Sequence, residues 1–451
     1  MLILPARPLW QSFLVFLGPL LVANILQSLS GTINNIYLGQ MIGVKALAAV
    51  SSFSPILFFF IAFAIGLGAG ASVLIGQAWG ARQVDVVRSV AGSTLTLGLS
   101  LGLVIAVGGS MFVEPMLRAL GTPPDILHDA TRVARILLVT MPGLFLFVLS
   151  TSMLRGVGDT VTPLYTLLLS TLIGLILTPA LIRGWFGLPR MGVASGAWAG
   201  VVSLVVGTLW VMWYLRHKNS PLKPDADLLR RMRLDMHLLK NVLRIGVPAG
   251  IQMIVGAISD LALLTIINSY GSNATAAYGA IIQVVIYAQV PAISISIATS
   301  ILGAQAIGAG RTGQLSIILR TAMWLNLVFT GALVVLAYLL SHQLMATFIT
   351  SAPVVNLAQT LLYIMLWSQV VLGMALAISG VMRASGTVWV PMLITIGCIA
   401  LVQQPTAWIV SRHIGLNGVP VAYPAAYSAI LLLQWVYYRT VWRKRTIKRM
   451  V

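Results

Sequence analysis

Apolar positions run through this chain in long blocks, separated by short groups of Gly, Pro and charged residues. Blocks long enough to cross about 30 Å of hydrocarbon fall at 12–39, 47–76, 89–112, 133–153, 162–182 and 193–215. A second set falls at 242–270, 276–304, 318–340, 357–382, 389–410 and 420–438. Backbone polar groups inside lipid must be satisfied within the segment, so blocks of this length predict helices. The pattern therefore predicts an all-α integral membrane protein with twelve transmembrane helices. Its expected parts are an N-lobe over 1–217 (helices 1–6), a cytoplasmic linker over 218–240 and a C-lobe over 241–451 (helices 7–12) with a basic cytoplasmic tail. The linker region carries Pro221, Pro224, Asp225, Asp227 and the run Arg230-Arg231-Met232-Arg233. It is expected to lie on the inner membrane surface as an amphipathic helix.

The two sets repeat one another at an offset of 228 residues (271−43, 305−77, 383−155). Gly43, Ala46, Ala48 and Ala49 answer to Gly271, Ala274, Ala276 and Ala277. Gln77, Gly80 and Ala81 answer to Gln305, Gly308 and Ala309. Leu154-Arg155-Gly156-Val157-Gly158-Asp159-Thr160, with Pro163 following, answers to Met382-Arg383-Ala384-Ser385-Gly386-Thr387-Val388, with Pro391 following. Six crossings per copy is an even number, so both copies keep one orientation. Two six-helix bundles related by a pseudo-two-fold along the membrane normal are expected, with a transport site between the halves.

Composition agrees: 59% of residues are hydrophobic and 8% charged, against about 25% charged in soluble domains. The single cysteine, Cys398, lies in an apolar run and excludes an intramolecular disulfide. No cleavable signal peptide is expected at the start, because the apolar block after Trp10 is too long for one. The net charge of +19 raises the question of nucleic acid, but its placement answers it. With the N-terminus inside, 21 of the 28 Lys and Arg fall on inner segments: Arg7, Arg82, Arg88, Arg155, eight from Arg216 to Arg244, Arg311, Arg320, Arg383 and six from Arg439 to Arg449. Lys45, Arg118, Arg132, Arg135, Arg183, Arg190 and Arg412 remain outside. This bias predicts a multi-pass protein of the cell membrane (inner or plasma) with both termini cytoplasmic. Its excess charge would meet anionic lipid headgroups rather than nucleic acid.

Three segments then resemble one family, the multidrug and toxic compound extrusion (MATE) transporters. They are Gly43-Val44-Lys45-Ala46-Leu47-Ala48-Ala49-Val50, Gly76-Gln77-Ala78-Trp79-Gly80-Ala81, and the Leu154–Thr160 motif before a proline. The resemblance covers the whole length. It implies two six-helix bundles and export of organic cations or toxic compounds, by antiport against inward Na⁺ or H⁺.

Ionisable groups inside a span are costly and mark function. Of nine acids, only Asp260 falls deep in a predicted helix: it lies 12 residues past Pro248 and 11 before Gly271. Desolvation penalises a carboxylate and a nearby cation offsets the penalty. A group so placed can trade a proton for Na⁺ or for a cationic substrate, which makes Asp260 the expected coupling site, with Na⁺ as the one metal to consider and no other cofactor. Gln252, Gly256, Ser259 and Asp260 share one helix face. Gln283 and Tyr287 before Pro291, and Trp367 with Gln369, are further cavity candidates. Helix 1 carries a stripe of Asn24, Gln27, Ser28, Gly31, Asn34 and Asn35, which must face protein or water. Many members of the resembled family have an aspartate where Asn34 stands, and those with an acid on helix 7 have it one turn earlier, where Gly256 stands. Arg155, Gly158, Asp159, Pro163, Arg383 and Pro391 are read as hinge or inner-gate residues. In this reading Arg155 pairs with Asp159 four residues on, or across the lobes. Gln77 and Gln305 are read as helix-end hydrogen-bonders.

An intramembrane enzyme would need a second acid or a base in mid-span, whereas His128, His217, His237, His342 and His413 lie in loops or near span ends. A channel would show rings of charge or of carbonyls. The expectation is therefore a monomeric antiporter for a small cationic or amphiphilic substrate, in contact with membrane lipid. The alternative is a flippase or exporter of lipid-linked saccharides on a related fold. That activity calls for Lys or Arg inside the cavity, and every base here lies at or near a span end.

Overall fold

The computed structural model describes residues 8–349 and 351–451, and within them the chain is helical with short turns. Arg7 lies outside the described residues. Seven helices lead the chain: α1 (Leu9–Met41), α2 (Val44–Gly80), α3 (Val84–Ala119), α4 (Pro124–Val139), α5 (Met141–Gly156), α6 (Val161–Arg183) and α7 (Ser195–His217). A five-residue α8 (Ala226–Arg230) follows. Then come α9 (Met236–Asn268), α10 (Ser272–Gly308), α11 (Leu315–Leu339), α12 (Ser341–Phe348), α13 (Ala352–Met365) and α14 (Ser368–Ala384). The last three are α15 (Trp389–Cys398), α16 (Gln404–Ile414) and α17 (Gly418–Thr440).

Among the described residues, ten helices are long and apolar enough to cross a membrane, and α4 with α5, bent by 50°, makes an eleventh. The bend falls at Thr140. Pro142 has no N–H to continue the hydrogen-bond ladder, and the Thr140 hydroxyl bonds back to the carbonyls of Ile136 and Leu137. The difference from the predicted twelve arises in 389–444. There one helical stretch of 56 residues runs through a tight turn at Gly415 instead of an open loop, and α16 folds back along α17.

The duplication is legible in the backbone. α2 and α10 begin and end at positions 228 apart, as do the ends of α5 and α14 and the starts of α6 and α15. Left-handed residues repeat at the same offset: Gly43 and Gly271, Arg82 and Gly310, Gly158 and Gly386, Gly187 and Gly415. Of these only Arg82, at φ 61°, carries a side chain, a conformation that L-residues adopt at some cost.

The chain divides into two compact units, Gly18–Gly250 and Ile251–Met450, the second including the start of α1 up to Leu17. In the first, α2, α3 and α5 pack on one another and α6 on α7, around a core that includes Ala49, Phe53, Val113, Leu117, Ala134 and Leu138. Gly66 of α2 approaches α9 within this unit: a Cβ at 246 would stand 2.9 Å from the Leu67 Cα, the close approach that small residues permit between helices in membranes. In the second unit, α10, α11 and α14 pack together and α14 and α16 meet α17, over Leu263, Ile267, Ala277, Ile281, Leu361 and Leu362.

Residues 218–240 are not the single amphipathic helix expected. Pro221 and Pro224 interrupt the chain, Asp225 caps the short α8 through the Leu228 N–H at 3.0 Å, and Asp235 accepts from the His237 N–H as α9 starts. The segment is tied to α3. Arg88 Nη1 meets Asp227 at 2.7 Å and Asp225 at 3.3 Å, and Arg231 meets Asp85 at 2.8 Å and Asp227 at 3.2 Å. The Leu228 N–H, then Arg88 and Lys223, hold the Asp225 carboxyl below the usual carboxylate range. Hydrogen bonds from Arg88 and Arg231 do the same for Asp227.

Candidate functional site

The solitary acid of the second repeat sits at the end of a hydroxyl chain. Asp260 on α9 accepts through Oδ1 from the Tyr423 hydroxyl of α17 at 3.1 Å. That hydroxyl is in turn 2.5 Å from the Tyr278 hydroxyl of α10. Three helices thus contribute one atom each to a short polar path. Tyr278 and Tyr423 are 3% and 2% exposed and belong to the apolar core of the unit, whereas Asp260 is exposed. The carboxyl group therefore marks a boundary, with phenols packed in a dry core on one side and open surface on the other. None of the nine ion pairs among the described residues involves it. A carboxylate with a hydroxyl donor and no Lys or Arg paired to it has the chemistry to take up a proton or a cation from the open side.

A second set of polar contacts lies beside it. The helical run from α15 to α16 is interrupted by a π-helical turn, Ile399–Gln403. Pro405 follows at the start of α16 and has no N–H, so the regular ladder loses a hydrogen bond there. The added residue brings both Gln403 and Gln404 to α9: the Ser259 hydroxyl donates to Gln403 Oε1 at 3.1 Å, and Gln404 Nε2 donates to Ser259 Oγ at 2.7 Å. Gln252 reaches the Thr395 hydroxyl of α15 at 3.3 Å, Gln434 of α17 approaches the same hydroxyl at 3.4 Å, and Ser379 of α14 donates to Gln434 at 2.9 Å. Gln252, Ser259 and Asp260, placed on one face by their spacing, are thus all engaged by side chains of α15, α16, α17 or the π turn. Tyr278, Tyr423, Gln403, Gln404 and Thr395 were missed by sequence reasoning. The run Gln403-Gln404-Pro405 inside an apolar block was the available signal.

The other expected residues separate into two kinds. On α1, Gln27, Gly31 and Asn35 are exposed and Asn24, Ser28 and Asn34 half-buried; the Asn34 amide oxygen lies 3.0 Å from where a Cβ on Gly196 would stand. A polar stripe on a membrane helix has to meet protein or water rather than lipid. Gln283 is exposed, Tyr287 is half-buried, and neither makes a side-chain hydrogen bond among the described residues. Trp367 is 45% exposed at the break between α13 and α14, and its backbone N–H donates to the Tyr338 hydroxyl at 3.0 Å. Gln369 is fully buried and accepts from Gln289 at 3.0 Å, an interhelical hydrogen bond rather than an open wall.

The repeated motif behaves differently from the ion pair expected within it. Asp159 does not meet Arg155. Gly158 turns the chain at φ 89° past the end of α5, which breaks the helical spacing that a pair four residues apart requires. Asp159 instead accepts from the Thr162 N–H at 3.0 Å and the Thr162 hydroxyl at 2.7 Å, closing the start of α6, and pairs with Lys218 at 3.2 Å. Arg155 and Arg383 each keep a buried Nε without a hydrogen-bond partner. Pro163 and Pro391 are buried at the starts of α6 and α15. Gln77 and Gln305 are buried near the ends of α2 and α10, where their backbone carbonyls accept from Ala81 and Ala309.

With this geometry in view, known proteins supply the context. The MatE family model matches residues 19–180 and again 248–409, one match in each repeat. The probable multidrug resistance protein YoeA of Bacillus subtilis is 45% identical over 98% of this chain and 96% of its own. The probable multidrug resistance protein NorM of Thermotoga maritima is 25% identical over 95% and 92%. Among solved structures, a multidrug resistance MATE family transporter of the MOP superfamily in an outward-facing conformation superposes with TM-score 0.89 at 23% identity, over 95% of each chain. A MOP superfamily transporter from Pyrococcus furiosus, described as having a binding pocket of reversed polarity, superposes with TM-score 0.88 at 22% identity, over 97% of each. The doubled family match and the similarity to YoeA over nearly the full length establish that this chain belongs to the MatE family.

Proposed function

We propose that this chain is a secondary antiporter of the cell membrane that exports organic cations or cationic amphiphiles by alternating access, in exchange for H⁺ or Na⁺. In this reading twelve helices cross the membrane, six per repeat, with 389–414 and 418–440 as separate crossings. The repeats are related by an axis along the membrane normal, and both termini are cytoplasmic. The names of its relatives, multidrug resistance proteins, support the substrate class. The observation that carries the coupling is Asp260, an acid with a buried phenol at its back and no cation of its own. Bound H⁺ or Na⁺ neutralises it in one state, and a cationic substrate takes that place in the other, so each displaces its rival. For Na⁺ the oxygen donors at hand are the Asp260 carboxylate and the Tyr423 hydroxyl, hard ligands suited to that ion. The stripe on α1 supplies neutral amides, of which Asn34 holds no titratable proton, so coupling falls to the second repeat.

The test uses the full-length protein in proteoliposomes, with a pH gradient and a sodium gradient imposed separately. One of the two should drive efflux of a fluorescent organic cation, and Asp260→Asn should abolish that efflux while leaving the thermal midpoint nearly unchanged. Efflux that persists in the Asn variant removes Asp260 from the mechanism.

A further inference from the structure

The chain that follows the last helix of each repeat runs back over its own unit, and the acids available to it differ. After α7, the chain of the first unit runs back over the ends of its own helices, and three of its cations, Lys218, Lys223 and Arg231, are matched by acids. Lys218 meets Asp159 at 3.2 Å, Arg88 meets Asp225 and Asp227, and Arg231 meets Asp85 and Asp227.

After α17, the chain of the second unit also runs back. Trp442 is 3% exposed, stacks on Tyr438 at 5.2 Å and donates from Nε1 to Ser385 Oγ at 3.0 Å. Met450 packs on Gly386, and Arg449 Nη2 lies 3.8 Å from a Cβ position on Gly310. The tail therefore covers the turn between α10 and α11 and the turn between α14 and α15, yet no acidic residue follows Asp260 in the sequence. Arg439, Arg443, Lys444, Arg445, Lys448 and Arg449 are exposed, and none joins an ion pair among the described residues. Cations held at this density repel one another unless anions from outside the chain lie among them.

Their height relative to the spans identifies the anion. Trp435 stacks on Tyr438 and Tyr438 on Trp442, while the Arg439 guanidinium lies over the Trp435 ring at 4.9 Å from its centre. Tyr438 and Trp442 are packed inside the protein, but Trp435 is half-buried near the end of the spanning α17, the kind of ring that marks the level of lipid headgroups. The cations stand at and just beyond that level.

We propose that residues 439–449 of the second unit, folded back on the α10–α11 and α14–α15 turns, form a binding site for the phosphate groups of anionic phospholipids. The inference needs only the membrane-spanning fold and stands apart from the transport reading. Each basic residue near an anionic surface contributes roughly fivefold in affinity.

The full-length protein in neutral detergent is titrated with phosphatidylglycerol, with phosphatidylcholine and with inorganic phosphate. Thermal midpoint and lipid retained in native mass spectra are the readouts. Phosphatidylglycerol alone should raise the midpoint. Replacing Arg443, Lys444, Arg445, Lys448 and Arg449 together by Gln should weaken its binding at least about tenfold. Exchanging Arg for Lys and Lys for Arg at the same five positions should leave it nearly intact. In the unaltered protein the effect should vanish in about 1 M salt, where the screening length falls to about 3 Å, an arm that does not depend on any variant folding. An equal response to phosphatidylcholine, an equal response to free phosphate, an undiminished response in the Gln variant or insensitivity to salt would each overturn the site.

Discussion

Removing the Tyr423 hydroxyl separates what holds the second unit together from what gives Asp260 its chemistry. Tyr423→Phe deletes two hydrogen bonds at once, to Asp260 at 3.1 Å and to Tyr278 at 2.5 Å. The Tyr278 hydroxyl is then left in a site only 3% exposed. A buried polar group without a partner costs about 1–3 kcal/mol, so this loss dominates. The bond to Asp260 is worth less, because the exposed carboxylate recovers water when its donor goes. Interhelical hydrogen bonds measured in membranes average about 0.6 kcal/mol and reach about 1.7. The sums give about 2–4 kcal/mol for Tyr423→Phe, about 0.6–1.7 for Tyr278→Phe, which leaves the Tyr423 hydroxyl its bond to Asp260, and under about 0.6 for Asp260→Asn. The stability order is Tyr423, then Tyr278, then Asp260, and the order of damage to gradient-driven efflux begins with Asp260. Denaturant unfolding in mixed micelles provides the first ranking and proteoliposome efflux the second. Combining Asp260→Asn with Tyr423→Phe should reveal a coupling of about 0.6–1.7 kcal/mol. If Asp260→Asn proves the most destabilising of the three, the carboxyl group is a structural keystone and the boundary assigned to it is wrong.

Two other outcomes follow from the geometry. Arg88→Gln should lower the thermal midpoint at neutral pH, because Arg88 holds the carboxylates of Asp225 and Asp227 ionised. Their folded pKa values lie below the unfolded ones, so this stabilisation is complete above about pH 4 and fades as the pH falls further. The gap between variant and native protein should close over that range, and a gap independent of pH refutes the ionic tie. Pro405→Ala restores an N–H to the helix and should convert the π turn to regular helix, a gain that the loss of the Ser259 contacts offsets, so the thermal midpoint should change little. It should also withdraw Gln403 and Gln404 from Ser259 and slow efflux severalfold; a variant as active as the native protein shows that these contacts do not matter for transport.

What the residue pattern revealed was what depends on spacing along the chain. The 228-residue offset reappears in helix ends and left-handed turns because both are set by local residues such as Gly43, Gly158 and their copies. Asp260 stood out because an acid inside an apolar block has no local excuse. Its partners stayed hidden. Tyr278 and Tyr423 are 145 residues apart in the sequence, and a tyrosine in a membrane helix reads first as an interfacial anchor. Gln369 reads as a cavity residue, but it is buried and its amide oxygen accepts from Gln289, which only the packing of α10 on α14 decides. The spacing of Arg155 and Asp159 misled because it assumed that the helix continues, whereas Gly158 ends it. The linker departs from expectation for a related reason: its Asp227 and Arg231 are matched to Arg88 and Asp85 of α3, more than a hundred residues earlier.

The contact of Gly66 with Gly246 is made of main chain alone, without a side-chain hydroxyl, amide or charge in it. Such a seam has nothing to strand. Parting it exposes only methylene and peptide surface already bonded within each helix, and closing it demands no search among rotamers. It holds by fit, as close-packed small residues do between membrane helices.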